Sequence, residues 1–154
     1  EFLHALYDGG GGAGLWDYWE LMRKSRVGGG GFIWAFVDEC VERTDIGGKL
    51  DCAGNQGADG VVGPRREREG SFYAVREIWS PVQLAGPERL TDAPRVSFNV
   101  ENRFDFTNLA ECEFEWQLAR FPSPFGKRPG HIRLAAGRMR GPNVAPHAAP
   151  VAIS

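Results

Sequence analysis

The chain has 154 residues, 42% of them apolar and 25% charged, with a formal net charge of −2. That balance suits one ordinary globular domain or two small ones, and it argues against a nucleic-acid or anionic-membrane partner, both of which call for a basic surface. The longest apolar stretches, such as 32–37, are far too short to cross a bilayer.

The chain starts at Glu1 and enters directly on patterned sequence, "EFLHALYDGG". This reads as a fragment whose beginning lies upstream, so the missing basic and apolar leader says nothing about export. Leu15, Tyr18, Trp19 and Met22 stand at i, i+3, i+4 and i+7, with Asp17, Glu20, Arg23 and Lys24 on the other side. The spacing predicts an amphipathic helix of about three turns, ended by the glycines from Gly28 onward. Residues 32–37, "FIWAFV", form a continuous apolar run bounded by glycines and by Asp38 and Glu39. A run so short and so apolar predicts a buried parallel strand. The polar, glycine-rich stretch 51–63, "DCAGNQGADGVVG", reads as a long loop. It lacks the alternating acids of a calcium loop and the Gly-Lys-Ser/Thr of a phosphate loop. Phe72, Val75, Ile78 and Trp79 space a second helix, with Ser71 as its N-cap and a stop before Pro81.

Beyond a Pro-, Gly- and Asp-rich segment the period changes to two. Val96, Phe98 and Val100 alternate with polar residues, as do Cys112, Phe114, Trp116 and Leu118, and Ile132 and Leu134 begin a third such run. Alternation of this kind predicts an antiparallel sheet with one wet face, of sandwich type, with a Pro/Gly turn over 122–130 between two strands. The domain reading is therefore 1–84, the C-terminal part of an α/β barrel; 85–94, a linker; and 95–154, an incomplete β-sandwich. Cys40, Cys52 and Cys112 are odd in number and at no metal-ligand spacing, so neither a disulfide framework nor a zinc site is expected.

In a parallel barrel the C-terminal strand ends face the active site, which singles out Trp34, Asp38 and Glu39. Most of the aromatic residues, five Trp among them, read as core, although such a supply also suits a carbohydrate. The residues then carry a resemblance. "EFLHALYDGG", "GLWDYWELMRKS" and "GGFIWAFVDE" resemble, in order, the end of the catalytic barrel of glycoside hydrolase family 2, the β-galactosidase and β-glucuronidase family. "GNQGADGVVGPRREREGSFYAVREIWSPV" is similar to that family's next loop and last barrel helix, and "VENRFDFTNLAECEFEWQL" to the start of its following immunoglobulin-like domain.

The resemblance implies a fold of two classes, α/β plus all-β: the last part of a (β/α)8 TIM barrel followed by an antiparallel immunoglobulin-like β-sandwich. It implies a retaining β-glycosidase acting on terminal β-galactosides, with Glu1 as nucleophile, His4 contacting sugar hydroxyls and Trp34 forming a wall of the sugar site. Asp59 falls where β-galactosidases carry an Asn that helps bind the sugar or a nearby cation. The acid/base Glu of the family belongs to an earlier strand, upstream of Glu1, so the chain alone is expected to be inactive. The resemblance admits Mg2+ or Na+ as cofactor without requiring either, and a homo-oligomer for the whole protein. It implies a small carbohydrate as partner and leaves the compartment open. This chain departs from the family pattern at Ala35, where Asp is common, and in "YDGGGG", which replaces Gly-Asn-Ser. Asn55-Gln56-Gly57 lacks the lysine with which β-glucuronidases hold a sugar carboxylate, which favours the galactosidase branch over β-glucuronidase or β-mannosidase. The reading from another class is a non-catalytic sandwich module, in which Glu1, His4 and Trp34 would not converge.

Overall fold

A computed structural model describes residues 1–5, 13–87, 95–123, 125, 126 and 130–154. It divides into two compact units, Glu1–Ser80 and Pro81–Ser154. Most of the expected linker, 88–94, lies outside the described residues, as do 124 and 127–129 of the Pro/Gly turn.

In the first unit, β1 (Leu3–His4) pairs in parallel with β2 (Ile33–Trp34), in the register Leu3↔Ile33 and His4↔Trp34. Between them runs α1 (Leu15–Lys24), whose Leu15 is fully buried. The helix stops at Ser25, ahead of the glycines. Those glycines serve the turn into β2: Gly30 takes φ +92°, and a Cβ on Gly31 would strike the Phe2 ring. Glu20 pairs with Arg23 at 2.9 Å and with Lys24 at 2.9 Å, and the Arg23 hydrogen bond above all holds its carboxyl down to about 2.

The parallel ladder continues past β2. Ala35 N–H donates to Asp59 O (3.1 Å), Val61 N–H to Ala35 O (2.8 Å), and Val37 bridges Val62 in parallel. Residues 59–62 of the stretch read as a glycine loop thus run beside β2 as a third parallel segment. The strand reading of 32–37 needs a second correction. Ile33, Ala35 and Val37 are half-buried, whereas Phe32, Trp34 and Phe36 are exposed, at 81%, 44% and 63%. Continuous apolar composition does not distinguish a strand covered on both faces from one covered on a single face.

β3 (Val41–Arg43) and β4 (Lys49–Asp51) form an antiparallel hairpin, with Val41 opposite Asp51. The hairpin brings the residues just outside it together, and Cys40 and Cys52 form a disulfide. This overturns the expectation from the odd cysteine count: two thiols pair across a hairpin base and Cys112 remains free. α2 (Gly70–Ile78) follows, with Glu69 rather than Ser71 at its N-cap. Ser71 lies inside the helix, fully buried, and its hydroxyl donates to Gly60 O and Val61 O at 3.2 and 3.1 Å. The two helices meet at Trp19 and Trp79, ring centroids 5.7 Å apart.

In the second unit, β5 (Val82–Ala85), β6 (Phe98–Asn102) and β9 (Val151–Ile153) form an antiparallel sheet in the order β5-β6-β9. β7 (Glu113–Arg120) and β8 (Ile132–Arg140) form an antiparallel pair with an irregularity between Leu118 and Ala119. The Trp116 indole lies over Gly137, where a Cβ would come within 2.8 Å of the ring. The core is Val100, Leu109 and Val144, joined by Val82, Phe104, Phe114 and Ile153.

Asn102 ties this unit together. It is fully buried, its amide donates to Thr107 O and Val144 O at 3.0 and 2.8 Å, and its Oδ1 accepts from Phe104 N–H at 3.0 Å. Asn102→Ala leaves these backbone groups without a partner, a loss of about 3 kcal/mol. Urea unfolding is expected to show that loss, with Asn99→Ala, on the exposed face of the same strand, within about 0.5 kcal/mol of the parent.

Candidate active site

The site is built where the three parallel segments of the first unit end. Asp38 closes the segment that begins with β2, and its side chain turns back, 8% exposed, to accept from Gly60 N–H at 2.8 Å. Asp38 N–H donates in turn to Val62 O at 3.0 Å. A Cβ on Gly60 would collide with Asp38 N and with Val37 C, so only glycine permits so close a crossing. One residue further on, Glu39 N–H donates to Gly57 O, and Gly57 N–H donates to Cys52 O. The disulfide therefore anchors the same loop that Asp38 latches.

These contacts deliver Asp59 to the end of β1. His4 Nδ1 lies 3.1 Å from Asp59 Oδ2, and His4 Nε2 lies 3.0 Å from Glu1 Oε1. Asp59 is 3% exposed, and Glu1 is open to solvent. Strand register sets Trp34 beside His4, and the indole N–H donates to Glu39 Oε2 over a long 3.4 Å. All four residues singled out from the sequence, Glu1, His4, Trp34 and Asp59, thus come to one place.

No protein-family model matches the chain. The chain is similar to a β-galactosidase of Priestia megaterium, 27% identical over 137 residues. The match covers 78% of this chain and 12% of that protein, so the chain spans about an eighth of its relative's length.

The chemistry available here is that of acids held by an imidazole. An exposed carboxylate beside a histidine, with an indole face next to it, can receive a polar ligand that also has an apolar face. Asp59 Oδ1 is buried and has no hydrogen-bond partner among the described residues. A single oxygen of this kind falls short of a cation shell, and the described residues hold no group of three or more His, Cys, Asp or Glu fit for a metal.

Asp38 and Glu39 were legible from the sequence as strand-end acids, but not their tasks: Asp38 is a backbone latch and Glu39 orients an indole. Glu69 was missed. Burial first, then the charges of Asp38 and Glu67, push its carboxyl above the ordinary 4.5. The fold thus disfavours ionised Glu69, and the stability linked to its protonated form is complete at low pH and lost as pH rises through the raised value. Asp38→Asn keeps an oxygen for Gly60 N–H and removes one of the two charges. The Glu69 midpoint, followed by its carboxyl carbon shift in NMR, is expected to move down in that variant. It stays above 4.5, because burial is unchanged. Asp38→Ala, which also loses the latch, is expected to cost about 2 kcal/mol in urea unfolding.

Proposed function

We propose that this chain is the nucleophile-bearing part of a retaining β-glycosidase that hydrolyses terminal β-galactosides. The observation that carries the reading is the hydrogen-bonded series Glu1–His4–Asp59 at the ends of parallel strands, with Trp34 in register beside it. The likeness to a β-galactosidase supports a glycosidase-type function. In this reading the parallel segments and helices of the first unit belong to the end of a TIM barrel. The exposed Phe32, Trp34 and Phe36 would then face the interior of that barrel. The antiparallel sheets of the second unit belong to an immunoglobulin-like domain.

Glu1 attacks the anomeric carbon as the glycosidic C–O bond breaks, and a second carboxylic acid protonates the departing aglycone oxygen. That group, now a carboxylate, then takes a proton from the water that hydrolyses the glycosyl-enzyme and frees Glu1. That acid/base must approach Glu1 to roughly 5–5.5 Å. As the resemblance implies, this reading takes the acid/base from sequence preceding this chain. The Trp34 indole packs against the apolar C–H face of the pyranose.

A non-catalytic module would have no need to bring Glu1, His4 and Trp34 together, and their convergence favours the enzyme. The isolated chain is expected to release no nitrophenol from an aryl β-galactoside. The protein carrying its preceding sequence is expected to do so, and to lose roughly a thousandfold or more on Glu1→Gln. Clear turnover by the isolated chain, abolished by Glu1→Gln, would contradict the division of the two carboxylates.

A further inference from the structure

We propose that Asp59 is a positioning residue that acts through His4 on Glu1, orienting the imidazole so that Nε2 presents its proton to Glu1 Oε1. The inference rests on the reading of Glu1 as nucleophile and adds a second task for Asp59, distinct from touching sugar.

Its basis is the geometry of the series. Both ring nitrogens of His4 face carboxylate oxygens, at 3.1 Å for Asp59 Oδ2 and 3.0 Å for Glu1 Oε1. With both carboxylates ionised, and so accepting only, a ring that donates to both carries a proton on each nitrogen. The two ends of the series differ in rigidity. The Glu1 side chain is 51% exposed and that of Asp59 is 4% exposed. The Asp59 backbone is held at Ala35 N–H, and the next residues by Asp38 and Ser71. Orientation therefore passes from the buried latch, through Asp59, to the imidazole and on to the exposed acid. An asparagine there could accept from Nδ1–H with its carbonyl oxygen, but could not add a charge opposite the imidazolium.

A nucleophile placed by a fixed donor lowers the barrier without tightening ground-state binding, so loss of Asp59 acts on kcat more than on KM. In the protein that carries this chain with its preceding sequence, Asp59→Ala is expected to lower kcat on an aryl β-galactoside roughly 10- to 100-fold, with KM within about threefold. Asp59→Asn, which restores an acceptor, is expected to recover most of that loss. In a His4→Gln background, Asp59→Ala is expected to cost less than about twofold, because the route from Asp59 to Glu1 is already cut. A long-range 1H–15N spectrum is expected to show His4 protonated at Nδ1 in the parent and in Asp59→Asn, and to lose that signature in Asp59→Ala. A loss that appears in KM, or that persists undiminished in the His4→Gln background, would overturn the proposal in favour of direct contact with substrate. If Glu1→Gln leaves turnover unchanged, the reading of Glu1 as nucleophile falls. The 15N signature then decides on its own whether Asp59 orients His4, and an Nδ1 signal indifferent to Asp59→Ala rejects the proposal.

Discussion

The hydrogen bond from Gly60 N–H to the buried carboxylate of Asp38 is the contact on which the first unit depends. Two extended segments cross there so closely that only a glycine fits, and the acid occupies the position that a backbone carbonyl would otherwise take. Asp38 and Val62 close the ladder on one side of the crossing, and Ser71, from within α2, closes it on the other. A buried amide left unpaired at this point would cost as much as several surface ion pairs return. The latch holds Gly60, and the Ala35 N–H bond to Asp59 O holds the residue before it beside β2, whose Trp34 is in register with His4, so Asp59 reaches His4 across the sheet.

The elements with a strong period were legible from the sequence. Leu15, Tyr18, Trp19 and Met22 mark one helix, and the alternation through Phe114, Trp116 and Leu118 marks a strand that the structure pairs with β8. Features that depend on two distant segments were not legible. The extended backbone around Val61 and Val62 was hidden by its glycines, which signal loops when read locally and close crossings when read in place. The Cys40–Cys52 bridge was hidden because pairing depends on the β3–β4 register, which a count of cysteines does not contain. Ser71 has the right residue type for an N-cap, but its hydroxyl serves backbone carbonyls of another segment.

The candidate site shows the same division. Glu1, His4 and Trp34 were singled out by family resemblance, and the strand register sets His4 beside Trp34 without further adjustment. Asp59 rested on a weaker match, with Asp where the family has Asn, yet it is the most buried of the four and holds the histidine. The disulfide adds a constraint of its own. Cys52 O accepts from Gly57 N–H, and Gly57 O accepts from Glu39 N–H, so the bridge, the loop and the acid beside Trp34 form one connected frame. The glycines and the acids act together here: Gly60 lets two backbones touch and the Asp38 carboxylate caps that point, while Glu39 holds Gly57 through its backbone N–H and Trp34 through its side chain.

Covalent trapping tests the central claim most directly. A 2-deoxy-2-fluoro-β-galactosyl fluoride slows both chemical steps of a retaining galactosidase and lets the glycosyl-enzyme accumulate. Peptide mass spectrometry of the inactivated protein, with this chain joined to its preceding sequence, is expected to find the fluorosugar esterified to Glu1. A label on Asp38, Glu39 or Asp59, or no label in a protein that turns over aryl galactosides, would contradict it.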